Sequence, residues 1–464
     1  MKNSTVCVVG LGYVGLTTAA CFASKRIHVL GIDVDEGKVG KIRQGEPVFK
    51  EKDLAPLLDR GLRSGFLEVQ AGFSGVREGD ITFVAVGTPS SPDGSIDTTY
   101  AEVAAREVGR ALRSTKRFHA VVIKSTVVPG TTNRKLRPII ETEAKMKAGE
   151  GFGLGVNPEF LFEGSAVRDM MNPEALVLGT SDKRTMEMLV ALYRRFYRRL
   201  PRSILTTPEN AELIKYAVNS FRAVQVSYVN FLANICTRIE GGEIGEVVKG
   251  LRQVARMDKR YLGAGLGFGG SCLPKDSRAL EAMALSVGVD PAVLSSAIRT
   301  NGEQAREVVG LAKKLVGDLA GKRVAVLGLA FKAGTDDVRE STAFGLIEIL
   351  RQEDATVSVY DPAAMENAKA LLGNRVNYAP NPKQCISGAD VCIVATGWND
   401  FKEMKPALFK KLMRTPAVVD GRRIFEPNIF RRGGVPLLRV GTASAETISL
   451  DRWRLHYTQP VNTN

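Results

Sequence analysis

The sequence has 464 residues, of which 44% are hydrophobic and 25% are charged. This is the composition of an ordinary globular protein, and it excludes an intrinsically disordered, collagen-like or disulfide-scaffold class. Lys and Arg number 64 against 50 Asp and Glu, so the formal net charge is +14, which favours anionic ligands such as nucleic acid or phosphorylated small molecules.

The first 200 residues alternate short apolar runs with helical patterns. TVCVVG is a β-branched run that ends in glycine, and GLGYVGLTTAACFASK then predicts a glycine turn that opens a helix. HVLGIDVD predicts a second strand, and further strands are predicted in DITFVAVGTP, HAVVIKSTVVPG, FGLGVNPEF and EALVLG. We therefore predict a doubly wound parallel sheet in an N-terminal domain of residues 1–202.

A long helical pattern begins near Thr207. The segment TPENAELIKYAVNSFRAVQVSYVNFLANICTRIE has apolar residues at helical spacing over about 30 positions, far more than an average helix. Helical sequence continues to about residue 317, interrupted by the glycine-rich LGAGLGFGGSCLPKD. We predict a central helical domain, residues 203–317, whose long helix mediates a homodimer; a plain connector helix is the alternative.

Strand signals return at Gly321 in KRVAVLGLAFK, ATVSVYDP, VCIVATGW and AVVDGRRIF. They predict a second Rossmann-like domain, residues 318–464. The predicted fold class is therefore α/β, with two Rossmann-like doubly wound parallel-sheet domains joined by a long central helix or helical domain.

The first chemical motif is the glycine turn after the first strand. Gly10 permits a tight turn, Gly12 lets the backbone approach a pyrophosphate, and Gly15 lets helix and strand pack closely. The helix N-terminus supplies N–H groups to the phosphates. Asp33 ends the next strand and is placed to bind a ribose 2′-hydroxyl, which indicates NAD rather than NADP because a 2′-phosphate would be repelled.

The second motif is GFGGSCLPKD, in which Cys272 precedes a predicted helix. Pro274 fits the first turn of that helix. A helix N-terminus and the nearby Lys275 both favour the thiolate form of a cysteine, and Asp276 could face the same site. A buried structural cysteine is the alternative interpretation.

Two pairs of polar residues remain open to interpretation. Lys215 and Asn219 are four residues apart on the long helix and therefore share a face, where they could stabilise an alkoxide or be solvated. Glu159 and Glu163 in NPEFLFEG could act as base and ligand, or they could cap a turn; the local pattern does not decide.

Several kinds of site are not expected. The six cysteines form no Cys-x-x-Cys pair, so we expect neither a metal nor a disulfide framework. The three histidines lie in no motif, which argues against a His-dependent dehydrogenase. The basic residues are scattered, so no nucleic-acid partner is expected. With no leader and no stretch of 18 uncharged apolar residues, we expect a cytoplasmic protein without a membrane partner.

Together, the motifs resemble the UDP-glucose/GDP-mannose dehydrogenase family over about residues 5–440. They occur in the order GLGYVG with Asp33, VGTPSSPDGSID, KSTVVPGTT, NPEFLFEGSAVRD, AELIKYAVNS, GFGGSCLPKD, FKAGTDDVREST and DGRRIF. The resemblance implies oxidation of a nucleotide sugar at C6 from alcohol to carboxylate with two NAD+.

The resemblance also implies catalytic roles. Cys272 would be the nucleophile that captures the aldehyde, Lys215 would stabilise oxyanions or relay a proton, and Asn219 would position the substrate. Asp276 with Thr126 would hold the catalytic water and Lys215. Glu159 would be the general acid/base in hydrolysis, with Glu163 near the nicotinamide.

Binding residues follow from the same resemblance. The implied NAD contacts are Gly10, Gly12, Tyr13, Val14, Gly15, Asp33, Lys38, Thr88, Thr126, Glu163 and Arg339. The implied nucleotide-sugar contacts are Phe160, Leu161, Glu163, Lys215, Asn219, Arg260, Gly267, Phe268, Gly269, Phe331, Lys332 and Arg422. Lys332 and Arg422 are cations that could meet a diphosphate, which gives the net charge a small-molecule explanation.

Two alternatives concern the substrate and the number of steps. The segment MDKRYLGAG is shorter than in many UDP-glucose enzymes and resembles the GDP-mannose branch, whereas SCLPKD argues against N-acetylhexosamines. UDP-glucose is the first choice and GDP-mannose the alternative. A one-step dehydrogenase related to the 6-phosphogluconate and 3-hydroxyacid enzymes is disfavoured because it would need no Cys272.

Overall fold

The computed structural model describes residues 5–255 and 261–443. The chain divides into two compact units, Met1–Val218 with Ala279–Val289 and Asn219–Arg278 with Asp290–Asn464. The division falls inside one long helix, and the three-domain division made from the sequence stays a prediction.

The first unit is built on an eight-stranded sheet with the order β3-β2-β1-β4-β5-β6-β7-β8. Its strands are β1 (Thr5–Val9), β2 (His28–Asp33), β3 (Leu67–Ala71), β4 (Ile81–Val84), β5 (His119–Ile123), β6 (Phe152–Val156), β7 (Leu176–Thr180) and β8 (Ser203–Thr206). Its helices are α1 (Tyr13–Ser24), α2 (Glu36–Arg43), α3 (Leu54–Arg63), α4 (Thr99–Leu112), α5 (Arg137–Ala144), α6 (Ala166–Met171) and α7 (Lys183–Tyr197).

Strand β1 shows why this sheet is buried on both faces. Val6 and Val8 pack into one hydrophobic core, while Cys7 and Val9 pack into another. Successive side chains of a strand point to opposite faces, so an uninterrupted apolar run can supply both cores.

Four helices follow the first sheet: α8 (Pro208–Cys236), α9 (Ile244–Val254), α10 (Leu273–Ser286) and α11 (Ala292–Val316). Helix α8 has 29 residues and begins in the first unit and ends in the second. The long helix predicted from the apolar spacing is therefore confirmed. Within the described ranges, no helix is long and apolar enough to cross a membrane.

The second unit contains a six-stranded sheet, all parallel, with the order β11-β10-β9-β12-β13-β14. Its strands are β9 (Arg323–Leu327), β10 (Thr356–Tyr360), β11 (Asn377–Tyr378), β12 (Val391–Val394), β13 (Val418–Asp420) and β14 (Leu437–Arg439). Its helices are α12 (Thr342–Gln352), α13 (Met365–Leu372), α14 (Pro382–Ile386), α15 (Asn399–Lys402), α16 (Pro406–Leu412) and α17 (Pro427–Arg432).

The predicted α/β class, with two sheets and a central helical segment, is confirmed. One detail differs from the prediction of parallel sheets. Strands β1 to β6 are parallel, but β7 runs antiparallel to β6, and β8 is parallel to β7. The two strands at this edge of the first sheet, β7 and β8, therefore run in the direction opposite to β1–β6.

Candidate active site

The glycine turn between β1 and α1 has the geometry of a dinucleotide cradle. Gly10 has φ +89°, and a Cβ on Gly15 would lie 1.7 Å from the Gly10 carbonyl oxygen. A Cβ on Gly12, by contrast, would meet nothing within 4 Å. The turn therefore needs glycine at the first and third positions to form at all, while the second leaves open space beside the helix N-terminus, where a pyrophosphate fits.

Asp33, at the end of β2, is buried and holds this turn. Its Oδ2 accepts a hydrogen bond from the Leu11 N–H at 2.7 Å and pairs with Lys38 Nζ at 3.0 Å. Its Oδ1 accepts from the Asp35 N–H at 3.1 Å. The carboxylate predicted to bind a ribose thus lies against the glycine turn, with Lys38 beside it. The glycine turn and Asp33 therefore have the arrangement that NAD binding requires.

Tyr13 connects the glycine turn to the loop after β6. Its hydroxyl donates to Glu51 and lies 3.1 Å from the Phe162 carbonyl oxygen. Glu51 also accepts from the N–H groups of Gly164 at 2.7 Å and Ala166 at 3.0 Å. Glu51 was missed in the sequence because no local pattern marks it, and its partners lie 38, 113 and 115 residues away.

The remaining cofactor candidates of the first unit lie on α1 and on the loops that follow β4, β5 and β6. Thr88 donates from Oγ1 to the Thr126 carbonyl oxygen at 2.8 Å, joining the loops after β4 and β5. Val14 lies in the first turn of α1, and Glu163 in the loop before α6; both are half-buried.

Lys215 and Glu159 form a buried ion pair in the first unit. Lys215 is 4% exposed and Glu159 is 9% exposed. The Lys215 Nζ donates to Glu159 Oε1 at 2.8 Å and to the Glu159 carbonyl oxygen at 2.6 Å. Burial alone would raise the pKa of Glu159, but the charge and hydrogen bond of Lys215 lower it below its usual value.

The pair is fixed from two sides. The second oxygen of Glu159 accepts from the Leu161 N–H at 2.6 Å. The Lys215 ammonium lies 5.3 Å from the centre of the Phe160 ring, within the range of a cation–π contact. Predicted residues of α8 and of NPEFLFEG are thereby brought together, which their spacing in the sequence did not reveal.

Cys272 lies directly before α10, as predicted. It is exposed, whereas the other five cysteines are buried. Its carbonyl oxygen accepts from the Asp276 N–H at 2.8 Å, the first hydrogen bond of the helix. A thiol at a helix N-terminus lies at the positive end of the helix dipole, which favours the thiolate.

Asp276 is buried in the first turn of α10. Its Oδ2 accepts from Asn219 Nδ2 at 2.6 Å, and its Oδ1 pairs with Lys275 Nζ at 2.6 Å. Asn219 and Asp276 were singled out separately in the sequence, and the structure joins them directly.

The loop Gly267–Gly270 is shaped by close backbone contacts. Gly267 has φ +99°, and a Cβ on Gly269 would lie 2.2 Å from the Glu340 carbonyl oxygen. The Asn301 side chain pairs with the backbone of Phe268, accepting from its N–H at 2.8 Å and donating to its carbonyl oxygen at 3.0 Å. The loop before Cys272 is therefore rigidly held.

Arg422 supports the same loop. It donates to the Ala395 carbonyl oxygen at 2.7 Å, to the Gly267 carbonyl oxygen at 2.8 Å and to Thr342 Oγ1 at 3.0 Å. Burial lowers the pKa of Arg422 to about 10. The guanidinium predicted to meet the diphosphate is thus engaged with backbone and hydroxyl acceptors of its own unit.

Three other predicted residues of the second unit lie on the loop after β9. Lys332 Nζ is 5.5 Å from the centre of the Phe331 ring. The exposed Arg339 forms a two-point contact with Asp337, and its carbonyl oxygen accepts from the Gly270 N–H at 3.0 Å.

Arg260 lies outside the described residues. Among those described, no cluster of three or more His, Cys, Asp or Glu could hold a metal.

Comparisons with known proteins cover nearly the whole chain. Models of the UDP-glucose/GDP-mannose dehydrogenase family match as NAD binding domain over residues 4–197, as central domain over 209–303 and as UDP binding domain over 325–427. The UDP-glucose 6-dehydrogenase AglM of Haloferax volcanii is 40% identical over 430 residues, covering 92% of this chain and 98% of that protein.

Two solved structures extend the similarity. A UDP-glucose dehydrogenase from the hyperthermophilic archaeon Pyrobaculum islandicum is 38% identical, with a TM-score of 0.86 over 95% of this chain and 98% of that chain. A UDP-D-ManNAc dehydrogenase from Pyrococcus horikoshii is 28% identical, with a TM-score of 0.82 over 94% of this chain and 99% of that chain.

Proposed function

This chain belongs to the UDP-glucose/GDP-mannose dehydrogenase family, and we propose that it oxidises UDP-glucose to UDP-glucuronate. Membership of the family confirms the resemblance carried by the motifs and makes the chain an NAD-dependent nucleotide-sugar dehydrogenase. The choice of glucose rests on the Haloferax and Pyrobaculum relatives, whose names state that substrate.

The observation that carries the proposed chemistry is the exposed Cys272 at the start of α10. Oxidation of an alcohol to a carboxylate passes through a reactive aldehyde, and a thiolate can capture that aldehyde. A one-step dehydrogenase would have no use for a nucleophile on a rigid glycine loop. The exposure of this thiol therefore supports the two-step reaction.

The glycine turn, Asp33 and Lys38 would hold the cofactor. When bound, NAD+ would accept a hydride from the sugar C6 in each of the two oxidations. The Cys272 thiolate forms a sulfur–carbon bond to the C6 aldehyde, giving a thiohemiacetal whose oxidation leaves a thioester on the same sulfur. Water then breaks the sulfur–carbon bond, the carboxylate leaves and the thiolate is restored.

The buried polar groups supply the charges that this reaction needs. Lys215, held by Glu159, stabilises the oxyanions that develop at C6. Glu159 is the general acid/base of the hydrolysis step. Asn219, held by Asp276, positions the substrate, and Asp276 and Thr126 bind the hydrolytic water.

The substrate residues follow the family resemblance. The backbone of Phe160–Glu163 and the loop Gly267–Gly269 bind the nucleotide sugar, with Phe331 and Lys332 on the loop after β9. Arg422 supports this binding through its bond to the Gly267 carbonyl oxygen. Arg339 contacts the cofactor.

We also propose that the chain forms a homodimer through α8. In the second unit, this helix exposes Phe221 (59%), Tyr228 (48%), Phe231 (51%) and Ile235 (40%). Their spacings of seven, three and four residues place them on one face, and an apolar patch of this kind marks an interface. Light scattering should find a dimer that Phe221→Glu weakens, whereas Leu371→Glu, a change at an exposed leucine of α13, should leave it intact.

The experiment for the proposed function is the number of NADH formed per nucleotide sugar. Purified protein is offered UDP-glucose, GDP-mannose and UDP-N-acetylglucosamine separately, and Cys272→Ser is measured beside the wild type. We expect two NADH per UDP-glucose from the wild type, and a variant that forms no free acid.

The matched control is Cys236→Ala, which changes a buried thiol of the same unit and should still form two NADH. Two NADH from GDP-mannose alone would keep the mechanism and change the substrate. One NADH per sugar, unaffected by Cys272→Ser, would disprove the covalent route.

A further inference from the structure

Lys124 is a buried lysine to which the mechanism above gives no role. It directly follows Ile123 at the end of β5, and Asn157 directly follows Val156 at the end of β6; Ile123 and Val156 are partners in the sheet register. Lys124 is 3% exposed. Its Nζ donates to Asn157 Oδ1 at 3.0 Å and lies 3.5 Å from the Asn157 carbonyl oxygen.

Asn157 is itself held by hydrogen bonds, so the acceptor that Lys124 contacts has a fixed position. The Tyr193 hydroxyl donates to the same Asn157 oxygen, and Asn157 Nδ2 donates to the Val177 carbonyl oxygen at 2.9 Å. These partners are neutral, because burial raises the pKa of Tyr193 well above its usual value. A buried ammonium with only neutral partners is costly, so a nearby carboxylate is needed to compensate it.

Glu159, two residues beyond Asn157, is the carboxylate whose charge acts on Lys124. Burial lowers the pKa of Lys124 to about 8, while Glu159 raises it and Lys215 lowers it. Lys124 in turn is one of the cations that lower the pKa of Glu159. Two lysines therefore share one carboxylate, and the three groups carry a formal charge of +1 when ionised.

This arrangement matters because Glu159 and Lys215 alone would form a neutral pair. Lys215 contacts Glu159 at 2.8 Å, so the carboxylate cancels much of the field that the ammonium could exert on a developing oxyanion. A second cation that acts on the same carboxylate restores part of that field. In a poorly solvated interior, such a charge acts over several ångströms.

We propose that Lys124 is a positioning residue for the Glu159–Lys215 pair: its charge offsets that of Glu159 and leaves Lys215 a net positive field. The inference rests on the proposed function, because the oxyanions at C6 belong to that reaction. Lys124 touches neither sugar nor cofactor in this role and acts only through the pair.

The test is the pH dependence of kcat in Lys124→Met, which keeps the length of the side chain and removes its charge. Without the neighbouring cation, Glu159 should hold its proton more tightly. The acid limb of the pH–rate profile should therefore move to higher pH, by about one unit, and kcat at neutral pH should fall about tenfold. KM should change less than kcat.

Tyr193→Phe is the matched control, because it removes a hydrogen bond to Asn157 without changing any charge near pH 7. It should lower the melting temperature and leave the acid limb in place. If Lys124→Met lowers kcat while its acid limb stays at the wild-type position, the lysine is structural and the proposal is wrong.

Lys124→Gln gives a second neutral variant that can still bond to Asn157, in case the methionine variant does not fold. If neither neutral variant folds, Lys124 serves the fold and the inference fails. The wild type measured in parallel keeps the two hypotheses apart: its NADH count tests the proposed function, whereas the shift between wild type and variant tests Lys124.

Discussion

Replacing Gly15 by alanine should damage both the stability of the protein and its affinity for NAD+. The new Cβ would lie 1.7 Å from the Gly10 carbonyl oxygen, whereas ordinary contacts begin at 3.4 Å. Helix α1 and the turn would have to separate by about 1.7 Å, the difference between these distances, in an interior that is closely packed. Because a backbone oxygen cannot rotate away, we expect the upper part of the usual overpacking cost, about 1–3 kcal/mol.

The consequence for the cofactor follows from the same displacement. The N–H groups that face the pyrophosphate belong to the first turn of α1, so they move with the helix. A shift of this size in a binding or catalytic group can cost up to about a hundredfold, and we expect the Kd for NAD+ to rise at least about tenfold. The melting temperature should fall by about 3–10 °C.

Gly12→Ala is the matched control, because its φ of −74° suits alanine and its Cβ would meet nothing within 4 Å. This variant should unfold close to the wild-type temperature, yet its methyl group should enter the space of the pyrophosphate and weaken NAD+ binding. Thermal unfolding and calorimetric titration with NAD+ measure both effects. Equal destabilisation by the two variants, or wild-type behaviour of Gly15→Ala, would refute the reasoning.

Two further predictions concern buried charged groups. Burial lowers the pKa of His119 to about 4, so the unfolded chain binds more protons there and stability falls as pH drops from 6.5 to 4.5. Burial raises the pKa of Glu212 to about 7, so the native state binds more protons in the same window and the two contributions offset each other. As the pH drops from 6.5 to 4.5, the free energy of unfolding of Glu212→Gln should fall by about 3 kcal/mol, and that of His119→Asn should rise by a similar amount. If the unfolding temperatures of the two variants changed with pH in the same direction, this prediction would be wrong. Arg422→Lys cannot make the three contacts of the guanidinium, so the KM for the nucleotide sugar should rise more than kcat falls; an unchanged KM would show that the Gly267 loop does not need Arg422.

The position of Cys272 could be predicted because all its signals are local. Glycines, a proline suited to the first turn and a helical pattern occur within a few residues, and the structure begins α10 at Leu273 with the thiol exposed. The length of α8 was predictable for the same reason, since its apolar spacing is uninterrupted over 29 residues. Local hydrogen bonding decides where such elements begin and end.

The reversal of β7 could not be predicted in this way. Its residues, Leu176–Thr180, are buried throughout, and a strand buried on both faces shows neither an alternating pattern nor a direction. The chain between β6 and β7 contains only the six-residue α6, too short to cover the sheet as a usual crossover helix does. The direction of β7 depends on how this connection packs, which no motif records.

The charge of the chain shows why the candidate site was only partly predictable. A net charge of +14 suggested an anionic ligand, but many basic residues pair with acidic residues at the surface, as Arg110 and Arg113 pair with Glu143. Of the lysines in the described ranges, only Lys124 and Lys215 are buried, and both act on Glu159. A buried cation acts more strongly on neighbouring groups than an exposed one, because solvent no longer screens its charge. Which of the 64 basic residues are buried depends on strands and helices far apart in the sequence. The role of Lys215, which a helical motif marks, could therefore be predicted, whereas that of Lys124, in the loop after β5, could not.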